Sequence, residues 1–168
     1  SRGFATITAK ATDGSNISAT CQVEVKQLVT DINLIDMQIN VGETKQVQAE
    51  VLPENANEKA LTWSSSDNTI ATVDSNGNVI GISKGTATIT ATAKDSSNVS
   101  ATCEVEVKQQ VADISMNKIE LSLYIGREEK LTATVIPDNV NDPTLTWSSD
   151  NEDVATVDQN GNVKAISR

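Results

Sequence analysis

At 168 residues the chain has room for one large domain or two small ones, and with 38 % apolar but only 2 % aromatic residues any core must be built from Val, Ile, Leu and Ala. A formal net charge of −10 sets the chain against nucleic acid, and the absence of histidine excludes Ser-His-Asp and Cys-His catalysis together with the commonest zinc ligand. No run approaches the roughly 18 apolar residues of a membrane helix, and no basic leader precedes an apolar stretch. The expectation is a soluble segment without membrane insertion, any export signal lying outside it.

In chain order, "GFATITAK" and "NISATCQVEVKQ" alternate polar and apolar residues over residues 3–27, as strands with one covered face do. "VTDINLI" and "MQINV" follow with the same period. "KQVQAEVL" then predicts one strand with Val47, Ala49 and Val51 on a single face, closed by Pro53 and the polar loop "PENANEKA". "LTWSSS" sends Leu61 and Trp63 inward. "TIATV" and "NVIGI" are separated by "DSNG", a turn signal. "GTATITATA" points Ala87, Ile89, Ala91 and Ala93 inward, and "SATCEVEV" does the same with Ala101, Cys103, Val105 and Val107. Seven or eight short strands in the complete copy, with turn signals every ~8–12 residues and no helical period, predict an all-β antiparallel sandwich.

The chain is also a repeat. "GFATITAKATDGSNISATCQVEVKQ" matches "GTATITATAKDSSNVSATCEVEVKQ" at a spacing of 82 residues, and "LTWSSSDNTIATVDSNGNVIGISK" matches "LTWSSDNEDVATVDQNGNVKAISR" at 84. Only residues 28–109 form a complete copy. Residues 1–27 match its C-terminal strands and residues 110–168 its N-terminal part. Cys21 and Cys103 are thus one repeat position seen twice. Alternation turns both thiols toward the core, beside Trp63 and Trp147, as unpaired apolar side chains.

"VGET…VLPENAN", "LTWSSSDNTIATVDSNGNVIGIS" and "KGTATITATA" resemble the bacterial Ig-like group 2 (BIG2) domain, with Gly42, Pro53, Trp63, Asp74, Gly77 and Gly85 in the order that family expects. The resemblance implies tandem Ig-like β-sandwiches on an extracellular or cell-surface bacterial protein, such as an intimin- or invasin-like adhesin, a surface-layer protein or a secreted glycoside hydrolase. It implies no cofactor. Its implied role is a structural spacer, with short linkers around Lys26–Val29 and Lys108–Val111 holding domains end to end. The alternative is an adhesin segment that contacts a host protein or glycan.

Several motifs offer chemistry. Asp74, Asn76 and Asn78 in "VDSNGNV" resemble the start of a calcium loop. The position of a bidentate carboxylate is empty, however, and Asn-Gly predicts a tight hairpin with both residues at positive φ. Asp150, Glu152, Asp153 and Asp158 gather carboxylates on a loop, yet Asn68 and Thr69 stand at two of these positions in the other copy, which argues against a catalytic pair. Phe4 and Tyr124 replace Thr86 and Asn40, putting aromatics where the complete copy is polar, and are interface candidates. Asn16 and Asn98 match a glycosylation sequon by chance.

Residues 110–168 lack the counterparts of four large inward aliphatics, Ile89, Val99, Val105 and Val107, each contributing about 1.5–3 kcal/mol when buried. That loss is comparable to the stability of a whole domain. Residues 1–27 carry the missing strands. Since tandem sandwiches run pole to pole, completion within one molecule is geometrically poor, and head-to-tail self-association by strand complementation is the expectation. Joining the ends would read "AISR-SRGFATIT", two residues longer than "GISKGTATIT", which suggests overlap.

Overall fold

The computed structural model describes residues 3–167, so Ser1, Arg2 and Arg168, which carry the Ser-Arg overlap, lie outside the described residues. Every regular element among the described residues is a β-strand. The chain divides into two compact units, residues 1–107 and 108–168.

The first unit opens with a hairpin of β1 (Gly3–Lys10) and β2 (Ser18–Val25), registered from Gly3 opposite Val25 to Lys10 opposite Ser18. Nine further strands follow: β3 (Asp31–Leu34), β4 (Met37–Asn40), β5 (Thr44–Gln46), β6 (Ala49–Leu52), β7 (Leu61–Ser65), β8 (Ala71–Val73), β9 (Asn78–Gly81), β10 (Gly85–Ala93) and β11 (Ser100–Lys108). One sheet has the order β4-β11-β10-β7. The facing layer consists of β3-β6 and β5-β9-β8. Between the layers the core has two lobes. Ile39, Val47, Ala71, Val79, Ile89, Val105 and Val107 fill the larger, and Val29, Ile32, Ala56, Ala91 and Ala93 the smaller. Trp63 and Leu34 pack against both. Ala87, Ile89, Ala91 and Ala93 are buried in turn along β10, as alternation predicts for a strand covered on one side.

The run "KQVQAEVL" departs from its expectation. It forms two strands in different sheets, β5 pairing β9 and β6 pairing β3. Val47 is buried between them and its N–H donates to the Gly77 carbonyl at 2.9 Å, while Ala49 is exposed. A strand that changes sheet must bend, and the bend breaks the alternation on which a single-face reading depends.

The second unit repeats one layer. β12 (Asp113–Met116) pairs with β14 (Ala133–Ile136), and β13 (Glu128–Lys130) and β15 (Ala155–Val157) flank β16 (Asn162–Ala165). These reproduce β3-β6 and β5-β9-β8 strand for strand. The other layer is not assembled. Residues 121–124 and 145–149, the counterparts of β4 and β7, are not strands here. In the complete copy β4 and β7 join their sheet only through β11 and β10, so "LTWSS" at 145–149 lacks the ladder that makes "LTWSS" at 61–65 a strand.

Candidate functional site

Two surfaces stand out, one in each unit, and neither resembles a catalytic cleft. The first is the hairpin β1–β2, exposed at every position on both strands. Ile89, Val105 and Val107 are 0, 0 and 1 % accessible in the complete copy, whereas their counterparts Ile7, Val23 and Val25 are 59, 38 and 50 % accessible. The second surface is the inner face of the β13-β16-β15 layer. It forms an open cleft of about 460 Å³ lined by Met116, Leu131, Trp147, Ala155, Val157 and Val163. An adjoining cleft of about 470 Å³ runs past Leu121, Leu123 and Ala165. Val29 and Ile32 are 2 and 3 % accessible, but their counterparts Val111 and Ile114 are 42 and 46 % accessible. The same residue types at the same repeat positions are core in one place and surface in the other.

The expectation that both cysteines are buried fails at one of them. Cys103 is buried, and desolvation, reinforced by Asp36, raises its thiol pKa. Cys21 is exposed. Alternation fixes which face a side chain occupies but not whether a second layer covers that face, and none covers β2. Trp63 is partly buried in the core and Trp147 partly buried against the cleft. Phe4 and Tyr124 are 78 and 87 % accessible.

Asp74 works as a turn cap. Its Oδ1 accepts the N–H groups of Asn76 and Asn78 at 2.8 and 2.9 Å, and its Oδ2 accepts Asn78 Nδ2 at 2.8 Å. Asn78 therefore offers N–H groups to this carboxylate instead of a third oxygen to a cation. Asp158 repeats the arrangement with Asn160 and Asn162. The turn also differs from the expected one. Gly77 has φ 80° but Asn76 is not at positive φ, so this is a type I turn closed by a left-handed glycine rather than a pair of left-handed residues. Asp150, Glu152 and Asp153 are exposed, and among the described residues no three His, Cys, Asp or Glu side chains group to hold a metal ion.

A feature outside the sequence reading lies at the linkers. The Gln27 N–H donates to Asn57 Oδ1 at 2.8 Å and the Asn57 N–H returns a bond to the Gln27 carbonyl at 2.9 Å. Gln109 and Asn141 form the same reciprocal clasp at 2.6 and 2.9 Å. Gln27 follows β2 and Gln109 follows β11, while both asparagines come from the polar loop after the proline. The signal was available: Gln and Asn recur at these loop positions in both copies.

Bacterial Ig-like domain (group 2) matches residues 29–105 and again residues 110–168. The chain belongs to this family. Among curated relatives of these group 2 Ig-like repeats, an uncharacterised Clostridium acetobutylicum protein is 40 % identical over 75 % of the chain, which spans 13 % of that protein. A Bifidobacterium longum 3-O-alpha-D-galactosyl-alpha-L-arabinofuranosidase is 44 % identical over 42 % of the chain, which spans 6 % of it. Among solved structures, domains 4 and 5 of the S-layer protein SbsC match at 19 % identity with a TM-score of 0.40, covering 61 % of this chain and 65 % of that one. The group 2 Ig-like chain is thus a small part of the length of the curated relatives it matches.

The turn caps are expected to make the Ig-like repeats acid-sensitive. Bonds from the Asn78 side chain, then from its N–H, hold the Asp74 carboxyl below its ordinary value, and Asn162 acts likewise on Asp158. A carboxyl lowered by folding contributes stability that is present above its unfolded pKa, about 3.9, and is lost as pH falls through the folded value. The melting temperature is expected to be level from pH 7 to about 5 and to fall below about pH 4. In a scan of melting against pH, Asp74→Asn is expected to lower the neutral value and flatten the acid limb.

Proposed function

We propose that these repeats are spacer modules of a bacterial cell-surface or secreted protein, setting distance and direction between parts of it rather than performing chemistry. The observation that carries this reading is the repeated clasp. At the head of each of two repeats the glutamine that follows the preceding strand has both its backbone N–H and its C=O bonded to an asparagine of its own compact unit. A backbone group held at both ends loses freedom that a bare linker keeps, which suits a stalk. Family membership supports an Ig-like module in a larger protein. The likeness to part of a named arabinofuranosidase is consistent with the same spacer role inside an enzyme. Head-to-tail association of the two incomplete parts belongs to this reading too.

Small-angle scattering tests the spacer role. The wild-type chain is expected to give a narrow distribution of lengths, and Asn57→Ala with Asn141→Ala a broader one. Identical profiles would remove the clasp as a stiffening element. Hydrogen exchange reads the clasp directly. Losing one bond worth about 1 kcal/mol should speed exchange at the Gln27 amide roughly fivefold in Asn57→Ala.

A second reading, an adhesin segment, draws on the exposed aromatics Phe4 and Tyr124. Binding to host cells or glycans that is lost in Phe4→Thr or Tyr124→Asn would favour it.

A further inference from the structure

We propose that Asn76–Gly77, in the turn between β8 and β9, is a self-modification site: the Gly77 nitrogen converts the Asn76 amide to aspartate or isoaspartate, and the native turn holds this reaction shut. The Asn-Gly step occurs at residues 76–77 and again at 160–161. Asparagine is a chemically labile residue, and a following glycine, with no Cβ, leaves its own nitrogen free to attack. The chemistry needs only water. The Gly77 nitrogen gives its proton to hydroxide and bonds to Asn76 Cγ, while the side-chain nitrogen takes a proton from water and leaves as ammonia. Water then opens the five-membered imide at either carbonyl. Opening at one leaves aspartate, and opening at the other leaves isoaspartate, whose backbone runs through Cγ.

Both the reactants and the seal are in the turn. Asn76 is exposed, so water reaches its amide, while Gly77 is buried. The Gly77 N–H donates to the Asp74 carbonyl at 3.1 Å, and the Asn76 carbonyl accepts Gln46 Nε2 at 3.1 Å. Both polar atoms of the reacting peptide are therefore held. The Gly77 carbonyl beyond it accepts the Val47 N–H at 2.9 Å. At the third position of a type I turn ψ is about 0°, which sets the Gly77 nitrogen beside the Asn76 nitrogen and away from its Cβ. Attack on Cγ requires the peptide to turn about the Asn76 Cα–C bond, and that breaks these bonds. Asp74 adds to the seal. Its Oδ1 accepts the N–H groups on either side of Gly77, and its charge disfavours an anion at the nitrogen between them. The second repeat closes Asn160–Gly161 in the same way, with the Gly161 N–H on the Asp158 carbonyl at 3.0 Å and the Leu131 N–H on the Gly161 carbonyl at 2.9 Å. The site thus reacts when the turn opens locally, and the product keeps it open. Isoaspartate adds a backbone methylene between the two N–H groups that Asp74 Oδ1 gathers at 2.8 and 2.9 Å. Trp63 leaves no space behind the turn to absorb it, since even a Cβ on Gly77 would lie 2.8 Å from Cζ2. A repeat that opens is marked irreversibly.

The test follows the full chain in warm, mildly alkaline buffer by peptide mass spectrometry, with methyl transfer by an isoaspartyl methyltransferase reporting the isoaspartate. Asn98, which precedes Val99 instead of a glycine, is the reference within the same chain. In urea Asn76 is expected to gain one mass unit far faster than Asn98. In the native chain its rate is expected to fall by a factor of roughly ten or more, because reaction then waits on local opening. Gln46 is exposed, and Gln46→Met keeps the length of the side chain while removing its donor. This variant is expected to raise the native rate at Asn76 roughly fivefold, with the melting temperature of the central sandwich level. An Asn76 as slow as Asn98 in urea would overturn the site. Equal Asn76 rates in native and urea-unfolded chains would overturn the seal, and a native rate unmoved by Gln46→Met would overturn the part given to Gln46. The native and unfolded arms use the wild-type chain alone, so they decide the seal even where the variant fails to fold.

Discussion

Ile7→Asp is expected to leave the melting of the central sandwich unchanged and to abolish self-association, whereas Ile89→Asp at the equivalent position is expected to unfold that sandwich. Ile7 lies on the open face of a hairpin and is 59 % accessible, so a carboxylate there stays in water until the hairpin docks. Ile89 is fully buried in the larger core lobe. A carboxylate at that position must be stripped of water without a partner, at a cost of several kcal/mol, besides the loss of the isoleucine. In the proposed head-to-tail association Ile7 would occupy the same surroundings as Ile89. Forfeiting about 3 kcal/mol of burial alone weakens association by more than a hundredfold. Thermal melts of both variants beside sedimentation of Ile7→Asp read the two effects separately. A loss of central-domain stability in Ile7→Asp, or undiminished association, would contradict the account.

The second large effect centres on Trp63. This indole packs against both core lobes, and a Cβ added to Gly77 would lie 2.8 Å from its Cζ2 atom. Trp63→Ala opens a cavity where the lobes meet and is expected to cost about 3–5 kcal/mol. For a domain of this size that lowers the melting temperature by more than about 10 °C. Gly77→Ala attacks the same contact from the other side, since it adds both that clash and a side chain at φ 80°. Trp147→Ala in the dilute chain is expected to cost much less, because Trp147 borders an open cleft instead of joining two lobes. The gap between the two tryptophans should narrow as concentration rises and the cleft fills. Equal effects at every concentration would mean that the cleft never acquires a second wall.

Much of this was legible in the residues because alternation and repetition are strong signals. The inward faces of β10 and β11 and the packing of Trp63 against the core followed from them. Other features depended on partners that pattern does not record. "KQVQAEVL" has the alternation of one strand, but the bend at Val47 that moves the chain between sheets is set by tertiary pairing. "LTWSS" at 145–149 is identical to "LTWSS" at 61–65, yet only the latter is a strand, because only it has β10 beside it. Cys21 and Cys103 share a face by sequence and differ in burial for the same reason. The Gln–Asn clasps were not legible in the sequence because polar loop residues have the pattern of solvated ones. Their recurrence in both copies was the clue, and the reciprocal bonds give it meaning.

Cys21 supplies the most direct test of completion in trans, with no substitution needed. In the free chain its thiol is exposed while that of Cys103 is buried, so a dilute sample should alkylate at one site per chain. The proposed head-to-tail association would give Cys21 the surroundings of Cys103. Its alkylation rate, followed by mass spectrometry of the native chain, is predicted to fall at least tenfold as concentration rises through the assembly range, and to stay fast throughout in Ile7→Asp. A Cys21 rate that is the same at every concentration would contradict the claim that one copy's hairpin completes the next copy's sandwich.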